Sequence, residues 1–127
     1  MKSIFVLFGG VFILLGILLG AFGAHSLKNH ISVEELQSIK TGLQYQMYHG
    51  LALIFIGFNV NKIKNSAMIC WGFISGTLLF SCSIYLLALD HFMGIDLGFL
   101  WPVTPIGGTV LIASWVLFVV KVSKIKT

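Results

Sequence analysis

Four apolar runs of about twenty residues are separated by short polar breaks, and within each run the apolar residues are continuous rather than alternating. Twenty such residues match a helix that crosses a hydrocarbon layer of about 30 Å, whereas a barrel strand would alternate over about ten. The pattern predicts an all-α integral membrane four-helix antiparallel bundle, one domain over 1–127, with spans at about 3–24, 43–60, 66–89 and 105–122. The first run has no charge, and Ala21 and Gly23 would suit a signal cleavage site. Its apolar core is longer than a signal h-region, which favours a retained span. Gly16, Gly20 and Ala24 recur every four residues, a ridge that lets another backbone come close.

Ser32 and Glu35 form a capping box, and Val33, Leu36, Ile39 and Leu43 follow at helical spacing. A short amphipathic helix is therefore expected to lead into the second span and to project beyond the hydrocarbon core. That span is the least uniform, because Gln44, Tyr45, Gln46, Tyr48 and His49 crowd its first third. Asn61 to Asn65 reads as a tight polar turn. The third span carries Gly72 and Gly76 as a GxxxG pair, with hydroxyls at Ser75, Thr77, Ser81 and Ser83 that can bond back to their own helix. Asp90 to Val103 reads as a greasy loop at headgroup level, with Phe92, Phe99 and Trp101 as interfacial aromatics. Thr104 and Pro105 read as the N-cap and first residue of the last helix.

Composition supports lipid as the solvent: 57% of the residues are hydrophobic and 9% charged, against about one quarter charged in soluble domains. The net charge of +4 comes from eight lysines without an arginine, which points to membrane orientation rather than nucleic-acid binding. With four spans both termini share a side. Placing them in the cytoplasm puts Lys2, Lys62, Lys64, Lys121, Lys124 and Lys126 inside and leaves Lys28 and Lys40 outside, so the expected topology is N-in/C-in. Cys70 and Cys82 are about 18 Å apart along one helix and cannot pair within it.

This orientation gathers His25, His30, His49 and His91 in the outer half. Thr41, Tyr45, Tyr48, His49 and Ala52 share a helical face, with Gln46 three residues before His49. An imidazole at that depth is expected to face the bundle interior. Two readings stay open. One is interhelical glue, with Gln46 and His49 bonding to His25, Ser83 or Tyr85 of adjacent spans at about 0.6 kcal/mol per bond. The other is an outward-facing site for a small ligand, a lipid headgroup or a metal.

The histidines show neither HxxxH nor HxxH spacing, so no metal or other cofactor is expected. Asp90 and His91, adjacent on a helix, point apart and form no dyad. Catalysis lacks a GxSxG elbow, a P-loop or an HExxH motif, and no span holds a charge for ion transport. Gly9-Gly10 and Gly107-Gly108 lie inside spans and read as packing glycines rather than phosphate loops.

The segments Gly20-Ala21-Phe22-Gly23-Ala24-His25, Thr41 to His49, Phe80 to Tyr85 and Thr104-Pro105-Ile106-Gly107-Gly108 together resemble the small four-span proteins of domain-of-unknown-function family 423. The resemblance covers nearly the whole chain and implies a bacterial-type inner membrane protein, with no activity or ligand to carry over. Cys82 departs from it, standing where the pattern usually has glycine. The motif residues His25, Gln46, His49, Tyr85 and Pro105 are the candidates for an outer-half polar cluster. The expectation is a non-enzymatic protein that contacts membrane lipids and supports membrane integrity; the alternative is a ligand- or metal-binding accessory module. Glycine ridges serve intramolecular and dimer contacts equally, so a second copy or another membrane protein stays open as a partner.

Overall fold

The structure, a computed structural model, describes residues 3–126 apart from the side chain of Ala24. Lys2 of the lysine bias and the Ala24 methyl of the small-residue ridge lie outside the described residues. Among the described residues the chain is all-α with four long helices: α1 Ser3–Leu27, α2 Val33–Phe58, α3 Ser66–Met93 and α4 Val103–Ser123. Three helical stretches among the described residues, Ser3–Leu27, Ser66–Met93 and Gly98–Ser123, are long and apolar enough to cross a membrane. The remaining helix, α2, is diluted by the polar residues of its first half.

Packing runs from α1 to α2, α2 to α3 and α3 to α4, each pair antiparallel. The shared core joins Phe5 and Phe12 of α1, Leu53 and Ile56 of α2, Ile69 and Phe73 of α3, and Leu111 of α4. Outside it, large apolar side chains such as Leu7, Leu14, Phe55, Ile112 and Val119 are exposed, as lipid-facing residues are.

Between apolar helices in lipid, association depends on close packing rather than on escape from water. Glycines supply the closeness. A Cβ added at Gly9 would stand 2.5 Å from the Gly50 carbonyl oxygen, and one at Gly57 would stand 2.6 Å from Val6 Cγ2. Gly16 packs under Met47, while Gly20 has only an ordinary contact with Leu43 and Gly10 faces open space. In the second hairpin Gly72 lies against Ser114, Gly76 against Leu111, and Gly107 against the Leu79–Phe80 backbone.

The start of α2 matches the sequence expectation, while the end of α3 and the start of α4 differ from it with local causes. α2 is one continuous helix from its capping box, with Ser32 Oγ accepting from Glu35 N at 3.0 Å and Glu35 Oε1 accepting from Ser32 N at 2.9 Å. α3 does not stop at Leu89. It runs to Met93, and Gly94 ends it in the left-handed region at φ 73°, where glycine has no Cβ penalty.

Asp90 therefore belongs to the last turns of α3 rather than to a loop, and it is buried. The last helix begins at Val103 with Pro102 at its N-cap. Thr104 is thus inside the first turn, and its hydroxyl meets Ser83 at 2.6 Å instead of capping. Two π-helical turns, Leu19–Gly23 and Leu78–Cys82, interrupt α1 and α3; the pattern of apolar residues does not announce them.

Candidate functional site

Gln46 and His49 sit on the buried side of α2 and, with the Gly42 carbonyl, reach all three other helices, while Gln44 on the same helix is exposed. Gln46 is buried, donates from Nε2 to the Phe12 carbonyl of α1 at 2.8 Å, and accepts at Oε1 from the Tyr85 hydroxyl of α3 at 2.7 Å. One turn earlier, the Gly42 carbonyl accepts from Ser81 Oγ of α3 at 2.8 Å. The Tyr85 ring packs against Gly42, where a Cβ would come within 2.6 Å of it.

One turn later, His49 is buried and accepts at Nε2 from Trp115 Nε1 of α4 at 2.9 Å. Its Nδ1 lies 2.7 Å from the Tyr45 carbonyl. An indole can only donate and a carbonyl can only accept, so these partners select the neutral imidazole with its proton on Nδ1. Both ring nitrogens are then engaged, and no lone pair is left for a metal ion. Phe73 completes the enclosure, with its ring centroid 5.2 Å from His49 and 4.7 Å from Trp115.

Of the four sequence candidates, the fold brings Gln46 and Tyr85 into direct contact and places His49 one turn along the same helix. His25 does not join them: it is exposed in the last turn of α1, and among the described residues its ring makes no hydrogen bond. The π turn that precedes it changes the face on which α1 presents its last residues. Ser83 bonds the Phe80 carbonyl and Thr104 rather than the α2 cluster. Pro105 borders a separate cleft. Tyr45 and Tyr48 are partly exposed, so the face shared with His49 is only half buried. Cys82 is exposed.

Sequence reasoning missed Trp115, Ser81 and the Phe12 carbonyl. Trp115 lies mid-span rather than at an interface, which is a usable signal that its N–H has a buried partner. The other two have no sequence signal. Thr77 Oγ1 is the one buried side-chain polar atom without a partner among the described residues.

A second cluster lies near the first turn of α2. Ligating atoms of Glu35, Asp90 and His91 fall within 4.8 Å of one another. Backbone amides account for the convergence: Glu35 accepts from Ser32 N, and Asp90 accepts from the amides of His91 at 2.8 Å and Leu97 at 3.3 Å. By folding back onto the His91 amide, Asp90 Oδ1 also comes within 3.6 Å of His91 Nδ1, so the two side chains that helical spacing sets apart do meet. The Ser32 backbone amide, and then its hydroxyl, hold the Glu35 carboxyl below the usual glutamate range.

Residues 19–108 match the family described as "Protein of unknown function (DUF423)". The UPF0382 membrane protein YwdK of Bacillus subtilis strain 168 is 36% identical over 125 residues, covering 96% of this chain and 98% of its own. The UPF0382 membrane protein SSP2132 of Staphylococcus saprophyticus is 35% identical, covering 97% of this chain and 99% of its own. The UPF0382 inner membrane protein YgdD of Escherichia coli K12 is 38% identical, covering 85% of this chain and 80% of its own. No solved structure matches the chain.

Proposed function

Since the chain belongs to the DUF423 family of small membrane proteins, whose role is not assigned, we propose that it is a non-catalytic, lipid-contacting component that supports membrane integrity. In this reading all four helices cross the inner membrane, both termini are cytoplasmic, and the Trp101 end faces outward. The observation that carries it is the internal use of the buried polar groups. Gln46, Tyr85, Ser81 and the Nε2 of His49 bond other helices, and His49 Nδ1 bonds its own helix, which is what interhelical glue does.

Second, the lysine count of six to two favours cytoplasmic ends, and Gln46 and His49 of α2 are turned inward, which lowers the cost of carrying them across. Native mass spectrometry of the full chain released from mild detergent tests the reading. Retained phospholipid is expected. Release as a bare polypeptide, or with a stoichiometric non-lipid ligand, would overturn it.

A further inference from the structure

A cleft of about 510 Å³ opens where the first turns of α2, the second half of α3 and the approach to α4 meet. Its walls include Glu34 and Glu35 from α2, Ile84 and Leu87 from α3, and Trp101 and Thr104 from the approach and first turn of α4. The volume falls within the range of small-ligand sites. The lining combines two chemistries: the free carboxylate of Glu34 with that of Glu35, which is held by the capping box, and an indole beside branched aliphatic side chains.

Neither glutamate pairs with a lysine among the described residues, and the Glu34 carboxylate makes no hydrogen bond there. Trp101 is 70% exposed and makes no ring contact among the described residues. An ammonium group is attracted both to carboxylates and to an aromatic face, whereas a purely anionic headgroup would meet two carboxylates, with no lysine in the lining. The aliphatic wall on α3 is suited to the first methylenes of an acyl chain.

We propose that this cleft binds the ammonium headgroup of a zwitterionic lipid of the phosphatidylethanolamine type, the amine between Glu34, Glu35 and Trp101 and the chains along Ile84 and Leu87. The proposal rests on the lipid-contacting reading above and names the headgroup and the place. It is separate from the buried Gln46–Tyr85 and His49–Trp115 links, which remain structural.

The test offers the full chain in mild detergent equal amounts of phosphatidylethanolamine and phosphatidylglycerol with identical chains, and reads the adduct ratio by native mass spectrometry. An excess of the ethanolamine lipid of about threefold is expected, the scale of a partly exposed ion pair. Glu34→Gln and Trp101→Ala should each move the ratio toward one. Glu34→Gln leaves the Ser32–Glu35 capping box in place, and helix content by circular dichroism checks that the fold is kept.

A wild-type ratio of one, or a ratio that neither variant moves, would overturn the proposal while equal retention of both lipids left the lipid-contacting reading standing. Retention of neither lipid would remove both. Glycerophosphoethanolamine, the same headgroup without chains, is expected not to compete at equal concentration; full competition by it would identify a soluble amine rather than a lipid as the occupant.

Discussion

Replacing Gln46 with leucine removes two links at once, the 2.8 Å bond to the Phe12 carbonyl and the 2.7 Å bond from Tyr85. At about 0.6 kcal/mol for an interhelical hydrogen bond in a membrane protein, Gln46→Leu should cost about 1.2 kcal/mol. Tyr85→Phe deletes one of the same two bonds and keeps the ring against Gly42, so it should cost about 0.6 kcal/mol. Since the shared bond can be lost only once, the double variant should also cost about 1.2 kcal/mol, leaving a coupling of about 0.6 kcal/mol. Reversible unfolding of all four proteins in mixed micelles, followed by circular dichroism, measures the cycle. Strict additivity, or a Gln46→Leu protein as stable as wild type, would refute the placement of Gln46 between α1 and α3.

Three other perturbations read different parts of the fold. Gly9→Ala sets a Cβ against the Gly50 carbonyl and should cost on the order of 1–3 kcal/mol, whereas Gly10→Ala, which meets open space, should stay within about 0.5 kcal/mol in the same unfolding assay. Gly94→Ala forces a side chain into the left-handed turn that ends α3 and should cost about 1 kcal/mol by the same measurement. Because the folded-state Glu35 carboxyl titrates below its unfolded value, its capping contribution is present above the usual glutamate range and is lost as pH falls through the lowered value. Amide exchange in the first turn of α2 should accelerate over that acidic window in wild type, and Glu35→Ala should remove the pH dependence.

How far the chain announces its own structure depends on the range over which each signal acts. The Ser32–Glu35 box is a local exchange of two hydrogen bonds, and it forms as its spacing implies. Likewise, apolar length alone foretells long helices. The partners of the buried polar groups are a different matter, since Trp115 is 66 residues from His49 and Tyr85 is 39 residues from Gln46.

Periodicity places Gln46 and His49 near one another on α2, but it cannot say which neighbouring helix each meets. The π turn Leu19–Gly23 breaks the periodicity on which the expected place of His25 depended. At the end of α3, Asp90 reads as a loop residue because aspartate favours turns; in the fold its carboxylate gathers the amides of His91 and Leu97 and stays within the helix. Thr104 and Pro105 look like a helix start because that pair commonly is one, yet Pro102 takes the N-cap and frees Thr104 to meet Ser83.

The four-span, cytoplasmic-termini arrangement is most directly tested through α2, whose composition is the least typical of a membrane helix. Single cysteines at Asn29, Lys64 and Gly98, in a chain with Cys70 and Cys82 replaced by alanine, can be exposed to a membrane-impermeant maleimide in intact cells. Labelling at positions 29 and 98 but not at 64 is the predicted outcome. Equal labelling of positions 29 and 64 would place both ends of α2 on one side of the membrane and contradict the arrangement.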